Sequence, residues 1–181
     1  MCGNGLAPFP ARITSWPMFD FRPDPDLPTA ERHRQLYDAI DAVTQDEPDG
    51  VANMANAAAL IAEFLPDLNW AGFYRTVTGS NGPELVLGPF IGRPACIRIA
   101  WGRGVCGTSA KTQEIQLVDD VHAFPGHIAC DGDTQSELVV PVLRDGNVIA
   151  VIDLDSPVPA RFTQDDADGL ERVAQLLSQR T

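Results

Sequence analysis

The 181 residues suit one domain of ordinary size with a short appended segment. The formal net charge is −12 at pH 7 and Lys111 is the single lysine, so the sequence lacks the clustered cations that bind phosphate backbones or anionic membranes. No apolar run approaches the length of a transmembrane helix. These features argue against nucleic acid and membranes as partners and predict a soluble, cytoplasmic protein.

The first 28 residues have a composition of their own. They are rich in Pro and Gly, and Trp16, Phe19 and Phe21 follow neither the helical nor the strand period. We interpret residues 1–28 as an extended N-terminal arm that precedes a folded domain, residues 29–181. The arm is either partly disordered or packs its aromatic side chains on the domain or on a second subunit, so a homodimer is one of the arrangements that we consider.

The domain begins with a predicted amphipathic helix. We expect Thr29 to be its N-cap, because Leu36, Ile40 and Val43 then recur at helical spacing on one face. His33 lies on the same helix, and we expect it to be a solvated side chain and not a ligand. The helix is predicted to form core and carries no catalytic signal.

A second helix is expected to start after Asp49, whose carboxylate suits the N-cap position. Its apolar residues keep the helical period until Pro66 ends it. They are Val51, Met54, Ala55, Ala58, Ile61, Phe64 and Leu65. The alanines among them permit close packing against a neighbour.

The segment from Leu68 to Val77 is predicted to be a strand, with Trp70, Gly72 and Tyr74 on the same face. Two aromatic residues that flank a glycine could form the floor of a pocket, because glycine lets a ligand approach the backbone. The alternative is that these side chains only fill the core.

Three of the four cysteines fall in the middle of the chain, on segments of different kinds. Cys96 opens an alternating, strand-like segment. Cys106 lies among small residues that suit a tight turn leading into a short helix, and Cys130 ends a long loop-like run. Only the fold can bring these thiols together. The fourth, Cys2, lies in the arm and has no assigned chemistry.

Several chemistries could use such thiols. A structural zinc site normally draws on close Cys pairs, which are missing here, although His122 and His127 could complete a site with two thiolates. A structural disulfide is disfavoured in a cytosolic chain without a secretion signal. Redox catalysis and simple burial of small side chains are the alternatives that stay open.

The last third of the sequence predicts a hairpin and a helix. Two apolar strands, Leu138 to Leu143 and Val148 to Leu154, are joined at Asp145-Gly146, a strong turn signal. The capping box and the buried stripe of a final helix are formed by Thr163, Asp166, Leu170, Val173, Ala174 and Leu177. Helices at both ends with strands between them predict an α+β fold, with a mostly antiparallel central sheet and helices packed on one face.

Two carboxylates in this hairpin are unusual. Asp153 and Asp155 are two residues apart, so they share one face of a strand, and they follow a continuous apolar run. Burial of an unpaired charge there would cost several kcal/mol. Glu137 begins the partner strand. The three acids either mark a solvent-exposed strand end or belong to a functional site.

Four segments of the sequence resemble the free methionine-(R)-sulfoxide reductases, which are catalytic GAF domains. The resemblance extends from about Thr29 to the C-terminus, and it is specific because GAF domains in general do not carry three cysteines at this spacing. The matching segments are Gly88 to Phe90, Pro94 to Ile99, Gly102 to Thr108 and Asp120 to Asp131. The resemblance implies that residues 29–181 form a catalytic GAF-like domain.

The resemblance also implies roles for individual residues. Cys130 would be the nucleophile, Cys96 the resolving thiol and Cys106 an auxiliary thiol. Trp70 and Tyr74 would line the pocket around the methionine side chain. Glu137, Asp153 and Asp155 would bind the amino group and the sulfoxide of the free amino acid. Neither a bound cofactor nor a metal is implied, and thioredoxin, reduced through NADPH, would be the external reductant and partner.

Sulfoxide reduction requires a reactive thiolate beside an acid, which Cys130 and Glu137 would supply. Three clustered carboxylates cannot all ionise cheaply, so we expect one of them to have a raised pKa and to donate the proton. The sulfenic acid formed on Cys130 would then condense with Cys96 to a disulfide. The competing hypothesis is a GAF sensor that binds a small ligand or responds to oxidant without turnover.

The three acids can share one site only if the two strands pair in a particular register. A regular two-residue turn pairs Arg144 with Asn147 and places Glu137 opposite Leu154, on the face away from the aspartates. An offset of one residue corrects this, and either a three-residue connection that ends in a bulge or a bulge beside Pro141 would supply it. Pro141 cannot donate to the ladder, so its neighbourhood is the natural place for a bulge. We therefore predict an irregular hairpin.

Overall fold

The computed structural model describes residues 21–23, 26–128 and 131–181. Cys2, Cys130 and nearly all of the predicted arm lie outside these residues. In chain order the elements are α1 (Thr29–Thr44), α2 (Gly50–Phe64), β1 (Trp70–Gly79), β2 (Gly82–Gly92), β3 (Arg98–Ala100), α3 (Gly104–Thr112), β4 (Gln116–Val118), a 3-10 turn (Val121–Ala123), β5 (Ser136–Arg144), β6 (Asn147–Ser156) and α4 (Gln164–Leu177). None of the helices in these ranges is long and apolar enough to cross a membrane.

The six described strands form one sheet in the order β3-β2-β1-β6-β5-β4, and every neighbouring pair is antiparallel. Side chains from α1, α2 and α4 pack with those of the central strands in one apolar core. The predicted α+β class, with helices on one face of an antiparallel sheet, is confirmed. The short helix α3 departs from that pattern, because its side chains join a second apolar cluster on the other face.

Strand β1 divides its side chains between the two faces, as its alternation predicts. Ala71 and Phe73 belong to the core beneath the three long helices. Trp70 and Tyr74 belong to the second cluster, and both are buried. The period of two therefore places aromatic side chains on the face that carries α3.

Helix starts were predicted with mixed success. The Asp49 carboxylate accepts from the backbone N–H groups of Val51 and Ala52 at 2.9 Å, and the capping box of α4 is present. Thr29 is not an N-cap, because Pro28 holds that position and provides no side-chain hydrogen bond. Val51 is also not a core residue. It is 52% exposed, because the buried face of α2 is formed by Asn53, Met54 and the residues one and two turns after them.

His33 was expected to be solvated, and the structure contradicts this. The side chain is 1% exposed, and its Nε2 lies 2.9 Å from the Asp166 Oδ1 atom of α4. A carboxylate more than 130 positions away in the sequence satisfies the ring, so helical position alone could not reveal the burial. Gly169 makes room for the ring, because a Cβ there would lie 2.3 Å from the His33 Cγ atom.

The predicted hairpin irregularity is confirmed. Asp145 and Gly146 have φ values of 51° and 75° and form a tight turn that pairs Arg144 with Asn147. The register then shifts, because Leu143 pairs with Val148 while Val142 pairs with Ala150. Ile149 is therefore the extra residue of a bulge on β6, close to Pro141 across the ladder.

The bulge changes which acids face each other. Beyond the bulge, each residue of β5 pairs with the β6 residue one position later than in a regular ladder. Glu137 therefore pairs with Asp155, and Val139 pairs with Asp153. All three carboxylates consequently lie on one face of the sheet.

Two short elements differ from the sequence prediction. The strand expected from Cys96 begins only at Arg98, although the Leu87 N–H still donates to the Ile97 carbonyl at 3.0 Å. Strand β4 was not predicted at all. It is three residues long, and its pairing with β5 brings Val118 opposite Glu137.

Candidate active site

A pocket opens on the sheet face that carries α3. Its floor comes from β1, β5 and β6, and its walls come from α3 and from the segments that follow β2 and the 3-10 turn. The lining residues are Trp70, Tyr74, Arg93, Pro94, Ala95, Ile99, Arg103, Gly104, Val105, Cys106, His127, Ile128, Asp131, Thr134, Glu137, Asp153 and Asp155. The structure thus brings together all the described residues that the sequence predicted for the site except Cys96.

The aromatic part of the pocket is a stack of three rings. The centroid of Trp70 lies 5.9 Å from that of Tyr74 and 5.3 Å from that of Phe90. Trp70 Nε1 donates to the Arg93 carbonyl at 3.1 Å, which fixes the indole in place. The rings form a rigid apolar wall beside the acidic floor.

Gly72 has a different use from the one expected. A Cβ at this position would lie 2.4 Å from the Phe90 Cβ and 2.7 Å from the Trp70 ring. The glycine therefore leaves space for the aromatic stack, and not for direct approach of a ligand to the backbone. The register between β1 and β2 shifts directly after it.

The acidic part of the pocket is buried. Glu137 and Asp153 are each 6% exposed, and Asp155 stands beside them on β6. The Asp153 Oδ1 atom is buried and has no hydrogen-bond partner among the described residues. A buried acceptor without a partner lowers the stability of the folded state unless a hydrogen-bond donor occupies the pocket.

Burial is the first cause of raised pKa values in this cluster. It raises the pKa of Glu137, and the nearby Asp153 and Asp155 carboxylates raise it further. The same effect raises the pKa of Asp153 to about 6. Burial, followed by the charges of Asp153 and Asp131, raises the pKa of Asp155. The cluster therefore holds protons at a pH where ordinary carboxyls have lost them, and Glu137 is one of the groups whose pKa is raised.

Cys106 is buried beside these acids. Gly104, at a φ of 62°, starts α3 and turns the chain so that Cys106 faces the floor, where its Sγ lies 3.9 Å from Glu137 Oε1. Burial raises the pKa of this thiol, and the Asp153 and Glu137 charges add to the effect. Cys106 is consequently a neutral thiol in this environment.

Among the described residues, one group has the composition of a metal site: Cys106, Glu137 and Asp153, whose donor atoms all lie within 4.8 Å of one another. A positively charged ammonium group would satisfy the same oxygens, so the donor set does not by itself indicate a metal. The zinc alternative that joined two thiolates with His122 and His127 loses support, because Cys96 is disulfide-bonded and His122 does not line the pocket.

The other cysteines are placed only in part. Cys96 is disulfide-bonded, whereas Cys106 is a free thiol. The predicted role of Cys130 stays a prediction.

Sequence reasoning missed several polar residues of the pocket. Asn69 donates from Nδ2 to Thr134 Oγ1 at 3.1 Å and to Asp131 Oδ2 at 3.3 Å, which ties the segment after residue 130 to the start of β1. His127 was considered only as a zinc ligand, but its Nε2 lies 3.9 Å from Glu137 Oε2. Asn69 lies inside the predicted strand from Leu68 to Val77 and His127 lies in a loop without period, and no sequence pattern indicated the contacts that these side chains make.

Comparison with known proteins places this pocket in a family. Residues 49–180 match the model of the GAF domain. The chain is 48% identical to Protein YtsP of Bacillus subtilis over 80% of this chain and 88% of that protein. It is 46% identical to the free methionine-R-sulfoxide reductase of Escherichia coli, over 81% of this chain and 87% of that enzyme.

A solved structure agrees with these sequence relatives. The free methionine-R-sulfoxide reductase from Neisseria meningitidis, in complex with its substrate, superposes with a TM-score of 0.80 at 43% identity, over 85% of this chain and 90% of that one. The chain is therefore a GAF-domain protein and belongs to the family of the free methionine-R-sulfoxide reductases.

Proposed function

We propose that this protein reduces free methionine-R-sulfoxide to methionine. The observation that carries the proposal is the buried acidic floor of Glu137, Asp153 and Asp155 beside the ring of Trp70. A free amino acid presents an ammonium group that can bind several carboxylates, whereas a methionine residue within a protein has only a neutral amide nitrogen. The floor therefore favours the free amino acid as substrate.

The aromatic part of the pocket suits the side chain of free methionine sulfoxide. The stacked rings of Trp70 and Tyr74 offer an apolar surface for the methylene groups and the sulfur-bound methyl group. Relatives support the assignment, because enzymes from Escherichia coli and Saccharomyces cerevisiae, at 46% and 44% identity, are named free methionine-R-sulfoxide reductases. A homologous reductase from Neisseria meningitidis is known in complex with its substrate.

The reaction that we propose begins at Cys130. Its thiolate attacks the sulfoxide sulfur and Glu137 gives a proton to the sulfoxide oxygen. The hydroxyl group then passes from the methionine sulfur to the Cys130 sulfur as the S–O bond and the new S–S bond both break, which leaves methionine and the sulfenic acid of Cys130. The raised pKa of Glu137 supports its role as the acid, because it keeps a proton available near neutral pH. Two electrons pass from the thiol sulfur to the sulfoxide.

A second thiol then resolves the sulfenic acid. The Cys96 sulfur displaces the hydroxyl group, which leaves as water, and a disulfide forms. The disulfide-bonded state of Cys96 supports this assignment. Cys106 is an auxiliary thiol in this scheme, since its burial and raised pKa make it a poor nucleophile. Thioredoxin, reduced by NADPH through its reductase, returns the disulfide to two thiols.

An assay of NADPH consumption coupled through thioredoxin and thioredoxin reductase tests the proposal. We expect turnover with free methionine-R-sulfoxide, and none with the S epimer or with the R sulfoxide inside a blocked peptide. Cys130→Ser is the matched control and should be inactive. A protein that binds methionine sulfoxide but releases no methionine, even with thioredoxin present, would contradict the proposal and favour the GAF sensor.

A further inference from the structure

The two carboxylate oxygens of Glu137 have different neighbours. Oε1 lies 3.9 Å from Cys106 Sγ on the inner side of the pocket. Oε2 lies 3.9 Å from Nε2 of His127, a residue of the loop that follows the 3-10 turn. The Glu137 side chain is 8% exposed and that of His127 is 13% exposed. His127 thus belongs to the wall of the pocket and is the more exposed member of this pair.

The proposed reaction uses two protons at the same oxygen atom. The first converts the sulfoxide oxygen to the hydroxyl group of the sulfenic acid, and the second allows that hydroxyl to leave as water when the disulfide forms. The proton that the Cys96 thiol loses balances the second step overall, but Glu137 has given up its own proton in the first step and can act as the acid again only after it is reprotonated. As a carboxylate it would stand beside Asp153 and Asp155 in a buried site, which makes the unprotonated state costly. The nearby Cys106 thiol is a poor source because its own pKa is raised.

We propose that His127 is the residue that reprotonates Glu137, and this inference rests on the proposed function. The ring accepts a proton from solvent at Nδ1 and gives the proton on Nε2 to the Glu137 carboxylate. It is left neutral with its proton on Nδ1, and exchange with solvent restores the first tautomer. His127 acts through Glu137 and does not itself touch the reacting sulfur.

The surroundings of His127 suit this role. A distance of 3.9 Å exceeds a hydrogen bond, but one bridging water or a small rotation of the side chain closes it. His122 stands edge-on to the ring, with centroids 6.4 Å apart. Burial, followed by the charge of His122, lowers the pKa of His127, so the resting ring is neutral and can accept a proton. Besides Glu137, the other ionisable groups that line the pocket are Tyr74, Arg93, Arg103, Cys106, Asp131, Asp153 and Asp155.

A rapid-quench experiment on the full-length, fully reduced protein separates the two proton transfers. Methionine release reports the first, and loss of two alkylatable thiols reports disulfide formation. In His127→Gln we expect the methionine burst to stay within about twofold of wild type, because Glu137 starts protonated. Disulfide formation should slow by about tenfold or more, which is within the range of general acid catalysis, and added imidazole should restore it in proportion to its concentration.

Glu114→Gln is the control, since it introduces the same amide side chain at an exposed residue that lies outside the pocket lining. It should leave both rates within about twofold. The inference is wrong if His127→Gln forms the disulfide at the wild-type rate, or if its slow disulfide formation does not respond to imidazole. Should His127→Gln unfold, the same measurements on His127→Asn decide. A wild-type protein that releases no methionine would instead refute the proposed function.

Discussion

At the residue scale, the site consists of groups whose chemistry depends on burial. The same burial that raises the pKa of the acids also raises that of Cys106, so proximity to the substrate does not make a cysteine reactive. The thiols therefore divide by environment, with Cys106 as a neutral thiol and Cys96 in a disulfide. We expect substitution of the proposed nucleophile, Cys130, to differ from substitution of either of these thiols in its effect on turnover.

Substitution of the two thiols proposed to react should give different stoichiometries. Cys130→Ser should release no methionine, because the attacking atom is gone. Cys96→Ser should release about one methionine per enzyme and then stop, because only the resolution of the sulfenic acid is blocked. Counting methionine under single-turnover conditions checks both outcomes. A Cys96→Ser enzyme that cycles at the wild-type rate with thioredoxin would contradict the assignment.

Asp153 should destabilise the unliganded protein at neutral pH. Its folded-state pKa of about 6 lies above the ordinary value of 3.8, so the folded state binds the proton more tightly than the unfolded state does. Stability is therefore fully present below pH 3.8 and falls as the pH rises through about 6. We expect Asp153→Asn to raise the free energy of unfolding at pH 8 by about 1 to 3 kcal/mol and to have little effect near pH 4.

Unfolding by denaturant at the two pH values measures this difference, and Asp46→Asn serves as the exposed control. The same substitution should weaken substrate binding, because it removes a negative charge from the acidic floor. Equal stability of Asp153→Asn and wild type at pH 8 would show that the carboxyl is not under electrostatic strain.

At the element scale, the hairpin of β5 and β6 decides the composition of the floor. The apolar runs and the Asp-Gly turn predict two paired strands, but they are equally compatible with two registers. The bulge at Ile149 selects the register that places Glu137 beside Asp155. The demand for a shared acidic site, combined with the position of Pro141, was sufficient to predict an irregular ladder but not which residue would bulge.

The contact between α1 and α4 is the other decisive pairing of elements. Although burial acts to raise the Asp166 pKa, hydrogen bonds from His33 and Thr163 outweigh it and lower that pKa to about 2. The group therefore contributes stability that is present above its ordinary value of 3.8 and is lost as the pH falls toward about 2. Acid should loosen the packing of these helices.

Asp166→Asn should consequently destabilise the protein by about 1 to 3 kcal/mol at pH 7, because it weakens buried hydrogen bonds at the helix start. The deficit should shrink below pH 3. Asp165→Asn, an exposed change in the same turn, is the control and should stay within about 0.5 kcal/mol of wild type. The comparison is made by chemical denaturation, and an equal loss for both variants would contradict the role of the His33 contact.

At the scale of the whole molecule, the sheet separates the larger apolar core from the candidate active site. The larger core lies between the sheet and the three long helices, whereas the pocket occupies the opposite face beneath α3. Uncompensated carboxylates on that face make the unliganded protein less stable than its core allows. A cation that binds the floor should therefore stabilise the entire domain.

Thermal unfolding of the Cys130→Ser protein, which cannot turn over, tests this coupling. Free methionine-R-sulfoxide at one hundred times its Kd should stabilise the fold by about 2.7 kcal/mol, or roughly 5 to 10 °C. N-acetylated methionine sulfoxide lacks the ammonium group and should produce no comparable shift. Equal shifts with the two compounds would show that the acidic floor does not recognise the amino group.

The sequence by itself determined the fold class and the ends of several elements, and it predicted six of the described residues that line the pocket: Trp70, Tyr74, Cys106, Glu137, Asp153 and Asp155. Local patterns are sufficient for these because helix periods, N-caps and strand alternation depend on near neighbours, and because the motif segments are specific. Only the tertiary structure decided the burial of His33, the place of the Ile149 bulge, the use of Gly72 by the aromatic stack and the approach of His127 to Glu137. Each of these depends on partners distant in sequence, whose packing and hydrogen bonds no local pattern encodes.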